Sequence, residues 1–287
     1  MNCSKCSEKA VFLKPCFCKN HFINYFENKV SNTIKKFSLI DKNDSIVVAC
    51  SGGKDSTTVL YLLKKLGFNV EALVVDEGIV GYRDKTIVDL KMFCKKFDVK
   101  LRIVSFSKSF GKSLDTMLKQ KNHPCTICGT FRRYLLNKCA SNYDLIATGH
   151  NLDDEAQAVL MNLIKSNTEL LLRSSPKSQK VEGFVPRIKP LYFCSEKEVA
   201  IYALLKNFGV GFTECPYMDG SFRNVVRTAL NDYEQNNPCS KLNLINKHLN
   251  FLKTFVLERK NFRSCKFCSE PSKESVCKAC QIAKSFK

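Results

Sequence analysis

The pattern of apolar residues predicts alternating strands and helices from Ser45 onward. Residues 46–50 form a continuous apolar run of the kind found in buried strands. The following segment, 57–66, instead places its apolar residues at helical spacing. These positions are Val59, Leu60, Leu62, Leu63 and Leu66. A buried strand followed closely by a helix is therefore the first predicted unit.

The same alternation continues through the middle of the chain. We expect further strands at 70–75, 101–106 and 144–148, and helices at about 83–97, 128–140 and 152–165. Strand–helix alternation requires right-handed crossovers and gives a parallel sheet. The sequence therefore predicts an α/β fold, a parallel sheet with helices on both faces. In such sheets, ligands bind beyond the carboxyl ends of the strands.

A glycine-rich loop lies between the first predicted strand and the first predicted helix. It consists of Ser51, Gly52, Gly53, Lys54, Asp55 and Ser56, and we call it the phosphate loop. Paired glycines allow close approach of the backbone to a ligand, and N–H groups at a helix start favour an anion. The serines can donate to phosphate oxygens while Lys54 neutralises them. The loop lacks the glycine spacing of phosphoryl-transfer enzymes, and the alternative is an ordinary glycine turn.

Two other charged loops follow predicted strands. Gly149 to Glu155 reads Gly-His-Asn-Leu-Asp-Asp-Glu, and its carboxylates, Asp154 among them, can bind Mg²⁺ or act as a base. Acidic residues also favour any helix start through the dipole, which is the structural alternative. Asp76-Glu77-Gly78, with Gly81 to Asp84, follows the second strand, and we expect it to border the nucleotide.

The net charge of +19 is concentrated at the two ends of the chain. Residues 1–42 carry a net charge of +5, and residues 241–287 carry +8. Concentrated positive charge favours polyanion binding through counterion release, although a solubilising lysine surface is the plainer reading. No apolar stretch is long enough for a membrane span, and no secretory signal is present. We expect a cytoplasmic protein without membrane partners.

The 16 cysteines are grouped in ways that suggest metal binding in a reducing compartment. Near the N-terminus, two knuckles have the spacing of a tetrahedral zinc site, with Cys16 as an alternative to Cys18. The C-terminal set is a compact four-cysteine site of the zinc-ribbon kind. Reduced surface thiols would not explain this pairing. The predicted zinc ligands are Cys3, Cys6, Cys18 and His21, and Cys265, Cys268, Cys277 and Cys280.

A third group comprises Cys125, Cys128 and Cys215, inside the central region. Three cysteines cannot complete an all-cysteine zinc site, and they suit a metal with an open position. A redox pair, a sulfur-carrying nucleophile and buried apolar thiols are the alternatives. The thiols of Cys50, Cys94, Cys139 and Cys194 lie in or beside apolar runs, and we expect them in the core.

The motifs SGGKDS, GHNLDDEA, PCTICGTFRR and ECP, flanked by two zinc-type clusters, together resemble the tRNA uridine 2-thiolation enzymes of the TtuA/NcsA group. These belong to the PP-loop, or N-type ATP pyrophosphatase, superfamily. The resemblance covers nearly the whole chain and implies an adenine nucleotide alpha hydrolase-like fold. It divides the chain into an N-terminal zinc finger (1–25), a PP-loop ATPase catalytic domain (26–240), and a helix with a C-terminal zinc ribbon (241–287).

The resemblance also implies a chemistry. ATP adenylates the C2 oxygen of a tRNA uridine, pyrophosphate leaves, and sulfur then displaces AMP. Cys125, Cys128 and Cys215 match the ligands of a 4Fe-4S cluster in that group, and a cysteine persulfide is the competing route. The sulfur donor is sulfide or a ubiquitin-like thiocarboxylate protein. We expect Mg²⁺, two zinc ions and a homodimer.

Carried over residue by residue, the resemblance assigns the phosphate loop, Asp76 and Gly149 to ATP. Lys54 and Asp154 join the three internal cysteines as catalytic residues. Arg132 or Arg133 is placed at the nucleotide, and we expect these arginines to contact tRNA together with Arg223 and Arg227, although a solvated helix face explains the last two equally well.

Rival functions share parts of this pattern. A cytidine 2-thiolase lacks the terminal zinc modules, and a lysidine-forming ligase lacks the cysteine ligands. A zinc-dependent RNA-binding protein without catalysis would not need an intact phosphate loop. Residues 156–162, Ala-Gln-Ala-Val-Leu-Met-Asn, and 130–133, Thr-Phe-Arg-Arg, resemble the branch that modifies the wobble base. We therefore expect wobble thiolation, with the T-loop uridine as the alternative.

Overall fold

The computed structural model describes residues 1–120, 123–211, 213–218, 221–255 and 262–286. Its strands are β1 (Phe12–Leu13), β2 (Cys16–Phe17), β3 (Ser45–Cys50), β4 (Asn69–Asp76), β5 (Leu101–Ser105), β6 (Leu145–Thr148), β7 (Arg187–Ile188), β8 (Arg263–Ser264) and β9 (Pro271–Ser272). The predicted C-terminal segment includes residues 256–261 and 287, which lie outside the described residues.

The helices follow the same chain order. They are α1 (Lys19–Lys36), α2 (Lys54–Lys65), α3 (Arg83–Lys96), α4 (Phe106–Phe110), α5 (Leu114–Leu118), α6 (Pro124–Cys139), α7 (Leu152–Ile164), α8 (Thr168–Leu172), α9 (Glu196–Leu205), α10 (Phe222–Asn236), α11 (Ser240–Leu252) and α12 (Lys278–Lys284). None of the helices among the described residues has the length and apolar character to cross a membrane.

Five strands form one parallel sheet in the order β5-β4-β3-β6-β7. The central strand, β3, pairs with β4 on one side and with β6 on the other, both in parallel. This confirms the predicted parallel α/β sheet. Strand β7 has two residues and was not predicted, because a periodicity signal requires a longer segment.

Side chains alternate across β3 and separate the core into two layers. Ile46 and Val48 point into one apolar cluster, and Val47 points into the other. Helices α1, α2, α3 and α9 cover the first face, and α4, α5, α6 and α12 cover the second. Both faces of β3 are buried, which explains its unbroken apolar sequence.

The terminal segments pack on opposite faces of the sheet. Cys3 and Cys18 belong to the cluster on the α2 face, whereas Cys265 and Cys277 belong to the cluster on the α6 face. Helix α1 runs without a break across the predicted boundary at residues 25 and 26, and α11 packs against α7 of the central region. The predicted boundary at residues 25 and 26 thus falls within one helix, and α11 packs with the central region.

Helix starts differ from the prediction at two functional segments. Helix α6 begins at Pro124 and not at Cys128, because proline suits the first helical position. Cys125 therefore lies within the first turn of α6. Helix α2 begins at Lys54, directly after the paired glycines. Cys50, Cys94 and Cys194 are buried as expected, while Cys139 is only half-buried.

The end of β6 approaches the first turn of α2 closely at Gly149. A Cβ at this position would lie 2.7 Å from the backbone nitrogen of Ser56 and 2.9 Å from the carbonyl carbon of Asp55. Both neighbours are backbone atoms, so neither can move without displacing α2.

Gly149→Ala is therefore expected to destabilise the protein by about 1–3 kcal/mol, the usual cost of overpacking. It should also weaken ATP binding, because it displaces the helix start that faces the phosphates. Urea unfolding and nucleotide titration measure the two effects. Gly53→Ala is the stability control, since a Cβ there meets its nearest atom, Ser51 Oγ, at an ordinary 3.5 Å. Equal midpoints for the two variants would contradict the steric account.

Candidate active site

The phosphate loop joins β3 to α2 and is closed by its own serines. Ser51 N–H donates to Ser56 Oγ at 3.1 Å, and Gly53 N–H donates to Ser51 Oγ at 3.3 Å. Gly52 has a φ of +82°, and a Cβ there would lie 2.3 Å from the carbonyl oxygen of Thr86. Gly53 precedes α2 without a side-chain cap, so the helix start presents backbone N–H groups to an anion.

Lys54 lies between two carboxylates at the start of α2. Its ammonium is 3.1 Å from Asp55 Oδ2 and 3.0 Å from Glu196 Oε1. Burial acts to lower the pKa of Lys54, but the two carboxylates raise it above its ordinary value. Lys54 is therefore held as a cation. Glu196 belongs to a distant helix, α9, and sequence analysis missed it because only the fold brings it to the loop.

Asp55 and Asn151 connect the phosphate loop to the loop after β6. Asn151 Nδ2 donates to Asp55 Oδ1 at 3.0 Å, and burial raises the pKa of the Asp55 carboxyl. Asn151 also caps α7, where it forms a capping box with Asp154. One asparagine thus fixes the relative positions of the two loops that the sequence predicted to meet.

The three acidic residues at the start of α7 have different surroundings. Asp153 is buried and ion-paired with Lys241, and Glu155 is buried with Lys189 Nζ at 2.6 Å. The carboxylate of Asp154 alone among the three remains 31% exposed. Asp153 and Glu155 therefore form buried ion pairs that stabilise the fold. Asp154 is the carboxylate of the three that is accessible to a ligand.

The two arginines of α10 are turned toward the site. Arg223 Nη1 lies 3.2 Å from Asp154 Oδ1. Arg227 contacts Glu214 Oε1 at 2.6 Å and Glu196 Oε1 at 3.3 Å. Both guanidinium groups are thus paired within the protein. Their assignment to tRNA contact stays a prediction.

A buried ion pair contacts the phosphate loop. Arg83 Nε lies 2.6 Å from Glu77 Oε2, and both side chains are almost fully buried. Arg83 Nη1 donates to the carbonyl oxygen of Ser51 at 2.6 Å. Sequence analysis placed Glu77 and Arg83 only in a charged loop, because a buried pair and an exposed one have the same sequence.

Cys125 and Cys128 lie in α6, and Cys215 lies in the segment between α9 and α10. Cys125 Sγ is 3.8 Å from the carbonyl oxygen of Tyr217, which follows Cys215 by two residues. Burial raises the pKa of Cys128 to about 11, and the nearby Arg132 acts in the opposite direction. Burial also raises the pKa of Cys215, as do the negative charges of Glu77 and Cys125. The three thiols and the buried carboxylate therefore share one electrostatic environment.

Three other predicted residues have distinct contacts. Arg132 Nη1 is 3.7 Å from Glu77 Oε1 and so faces the cysteines, whereas Arg133 folds back over Gly129 on its own helix. Asp76 Oδ1 accepts from the Gly78 N–H at 2.8 Å and shapes its own loop. Of the two arginines, Arg132 is therefore the one paired with Glu77.

The N-terminal ligand set converges on one point. The ligand atoms of Cys3, Cys6, Cys18 and His21 lie within 4.8 Å of one another. His21 Nδ1 is 3.3 Å from Cys18 Sγ. Cys16 is outside the group, and its thiol donates to the carbonyl oxygen of Asn2. The sequence left open whether Cys16 or Cys18 belongs to this set. In the structure, the thiol of Cys18 lies with the other three ligand atoms and that of Cys16 does not.

The C-terminal ligand set converges in the same way. Cys265, Cys268, Cys277 and Cys280 also lie within 4.8 Å of one another. Burial opposes ionisation of Cys265, but backbone N–H donors lower its pKa to about 6. Burial and the adjacent thiols raise the pKa of Cys280. Four crowded thiols cannot all ionise alone, and a divalent cation would neutralise them. The three internal cysteines form no such group within the described part of the chain.

Comparisons with known proteins agree over almost the entire chain. A PP-loop domain family matches residues 24–234. The tRNA-5-methyluridine(54) 2-sulfurtransferase of Pyrococcus horikoshii is 38% identical, over 98% of this chain and 93% of that protein. Cytoplasmic tRNA 2-thiolation protein 1 of Xenopus laevis is 35% identical, over 98% and 87%.

A solved structure is also similar. The U34-tRNA thiolase NcsA from Methanococcus maripaludis, determined with its 4Fe-4S cluster, matches with a TM-score of 0.86 and 33% identity, over 99% of this chain and 96% of that one. Both the family match and these relatives exceed what a shared fold alone would give. The chain therefore belongs to the PP-loop family, in the group formed by the tRNA 2-thiolation proteins.

Proposed function

We propose that this protein thiolates a tRNA uridine at C2, using ATP to convert the carbonyl oxygen into a leaving group. Adenylation releases pyrophosphate, and sulfur then displaces AMP. The observation that carries the proposal is a chain of ion pairs from Lys54 through Glu196 and Arg227 to Glu214, the residue before Cys215. An activating site and a sulfur-handling site are thus adjacent. The names of the relatives support the substrate.

The phosphate loop supplies the activation step. Backbone N–H groups at the start of α2 and the serine hydroxyls bind the β and γ phosphates, which leaves the α phosphate open to attack. Lys54 exchanges Glu196 for phosphate oxygens when ATP binds. Asp154 exchanges Arg223 for Mg²⁺ or for the reacting uridine, and Arg223 then becomes available to the substrate. Asp55 and Gly149 position the loop.

Cys125, Cys128 and Cys215 are the residues that would hold a 4Fe-4S cluster. The ligand atoms of the three cysteines do not converge on one point as those of the terminal sets do, and a cluster does not require it, because each cysteine sulfur would bind a different iron. Such a cluster would supply an iron with an open position for sulfide. A persulfide on one of these cysteines is the second route, and it would need a donor that already carries sulfane sulfur, because sulfide and a thiocarboxylate supply sulfur only at the sulfide level.

Two zinc ions are proposed for the converging terminal sets, where Cys₃His and Cys₄ are common structural zinc ligand sets. The uridine position is less constrained by the relatives, because one named relative modifies residue 54 and another residue 34. We keep the prediction that the wobble uridine is modified and that the sulfur donor is sulfide or a thiocarboxylate protein. We also keep the predictions of a homodimer and of a cytoplasmic location, a word that the name of one relative contains.

The function is tested by anaerobic reconstitution with iron and sulfide, followed by reaction with ATP and unmodified tRNA. Mass spectrometry of the nucleosides then identifies the product and its position. Pyrophosphate release that depends on tRNA is the second readout. No release by the wild-type protein would contradict the enzyme and favour a purely RNA-binding role.

Lys54→Ala is expected to lower tRNA-dependent pyrophosphate release by at least about 100-fold, because it removes the cation that stabilises phosphate charge. Binding of tRNA should remain nearly intact, since most of the positive charge lies at the chain ends. Lys64→Ala, an exposed position on the same helix, is the control and should keep wild-type release. If Lys54→Ala lost pyrophosphate release and tRNA binding to the same extent, the separation of ATP activation from tRNA binding would be contradicted.

Cys125→Ala is expected to abolish formation of thiolated nucleoside while ATP binding is retained, because it removes one of three sulfur ligands. Cys139→Ala, on the same helix but half-buried and outside the group, is the matched control. Nucleoside mass spectrometry measures both. Thiolation by Cys125→Ala at the wild-type rate would exclude the cluster and the persulfide alike.

Cys18→Ala is expected to lower the zinc content by about one ion per chain and to destabilise the protein, because three remaining ligands bind the metal far more weakly. Cys16→Ala should keep both ions, since its thiol lies outside the converging set. Elemental analysis of the purified variants gives the two values. Equal zinc contents would show that Cys18 is not a ligand.

A further inference from the structure

A groove runs along one side of α1. Its first part has a volume of about 570 Å³ and lies between α1 and the N-terminal module. A second part of about 250 Å³ follows the carboxyl half of α1. Lys29 and Asn32 line both parts, so we treat them as one feature, the α1 groove.

Three asparagines line the α1 groove at a spacing of four residues. Asn24, Asn28 and Asn32 therefore lie on one face of the helix. All three are exposed, and their amides have no hydrogen-bond partner among the described residues. Asparagine is a poorer helix former than alanine. The asparagine stripe therefore offers three unpaired amides on one helix face at some cost to the stability of α1.

Lysines in the α1 groove are held against aromatic rings. Lys5 Nζ lies 5.2 Å from the centre of the Phe17 ring, and Lys36 Nζ lies 5.8 Å from that of Phe193. Both lysines are exposed, and no carboxylate within the described residues pairs with them. Contact with a ring limits the freedom of a lysine without neutralising it, so less entropy is lost when it binds an anion.

The third lysine differs from these two. Lys29 Nζ is 2.8 Å from Glu198 Oε1, which also accepts from the Tyr25 hydroxyl. This pair fixes the floor of the α1 groove and ties it to α9. Lys5 and Lys36, one at each end, therefore provide the unpaired positive charge.

The α1 groove leads from the N-terminal metal set toward the active site. His21 lines its beginning, and Phe193 lines its end. Phe193 precedes Glu196, the partner of Lys54, by three residues. From Asn24 to Lys36 the helix rises by roughly 18 Å at 1.5 Å per residue. A ligand along this path would reach the end of the sheet where the phosphate loop lies.

We propose that the α1 groove binds the sugar–phosphate backbone of RNA; that this RNA is the tRNA substrate rests on the proposed function. Lysines neutralise phosphates, and asparagine amides both donate and accept, as the 2′-hydroxyl does. A polypeptide partner would need an open apolar anchor. Here Phe17 is buried and the Tyr25 hydroxyl is occupied, so RNA fits better.

The test is fluorescence anisotropy of an unmodified tRNA transcript with the full-length protein. The triple variant Asn24→Ala, Asn28→Ala and Asn32→Ala should bind tRNA at least about tenfold more weakly, since three hydrogen-bonding groups are lost. Alanine favours the helix, so misfolding is not the expected cause of weaker binding. Asn243→Ala with Asn250→Ala, two exposed asparagines on α11, is the matched control and should bind as the wild type does.

The salt dependence provides a second readout. Lys5→Ala with Lys36→Ala should reduce the slope of log affinity against log salt by roughly 1.5 to 2, because two phosphate contacts are removed. Binding of tRNA by the asparagine triple variant within twofold of the control would overturn the proposal. If the asparagine triple variant bound tRNA normally but required a higher concentration of a sulfur-donor protein for thiolation, the proposal would also be overturned. The groove would then be assigned to a polypeptide partner. Weaker tRNA binding in a protein that thiolates no uridine would support the groove while contradicting the proposed function.

Discussion

The buried ion pair of Glu77 and Arg83 is the contact on which the arrangement of the active site depends. Arg83 holds the carbonyl oxygen of Ser51 at 2.6 Å and the Glu77 carboxylate at the same distance. Glu77 in turn acts on the pKa values of Cys128 and Cys215. Removing either partner would leave a charge buried without compensation, which typically costs 3–5 kcal/mol. Arg83 therefore ties the phosphate loop to a buried carboxylate whose charge reaches two of the internal cysteines.

Around this pair, the charges of the site are compensated within the protein. Glu196 is shared between Lys54 and Arg227, and Arg227 continues to Glu214, the residue before Cys215. The loop that carries Cys215 is thus connected to the phosphate loop by direct ion pairs.

The parts of this architecture that could be predicted from sequence are those whose signal is local. The phosphate loop and the two CxxC sets are read from consecutive residues, and the parallel sheet follows from the apolar run at β3 and the alternation after it. The contacts that could not be predicted join distant residues. Glu196 to Lys54, Lys241 to Asp153 and Arg83 to Ser51 each need the folded chain.

The sequence also could not show which way a side chain points in the folded protein. The spacing of Arg223 and Arg227 predicts that they share one helix face, and in the structure they do. The sequence does not say whether that face is turned toward solvent or toward the site. The same limit applies to α1. Its asparagines are visible in the sequence at a spacing of four, yet their meaning depends on the N-terminal module and Phe193, which form the other walls of the groove.

The terminal modules are more closely integrated than their spacing suggests. Cys3 and Cys18 pack into the apolar cluster on one face of the sheet, and Cys265 and Cys277 pack into that on the other. A metal bound at either end would therefore be linked to the core layer beneath it, because ligand geometry and apolar packing involve the same residues. At the N-terminus, that layer includes α1, whose opposite side is the asparagine stripe. A metal bound at the N-terminal set would thus hold in place the helix that presents the α1 groove, and the proposed binding of RNA would depend on that metal.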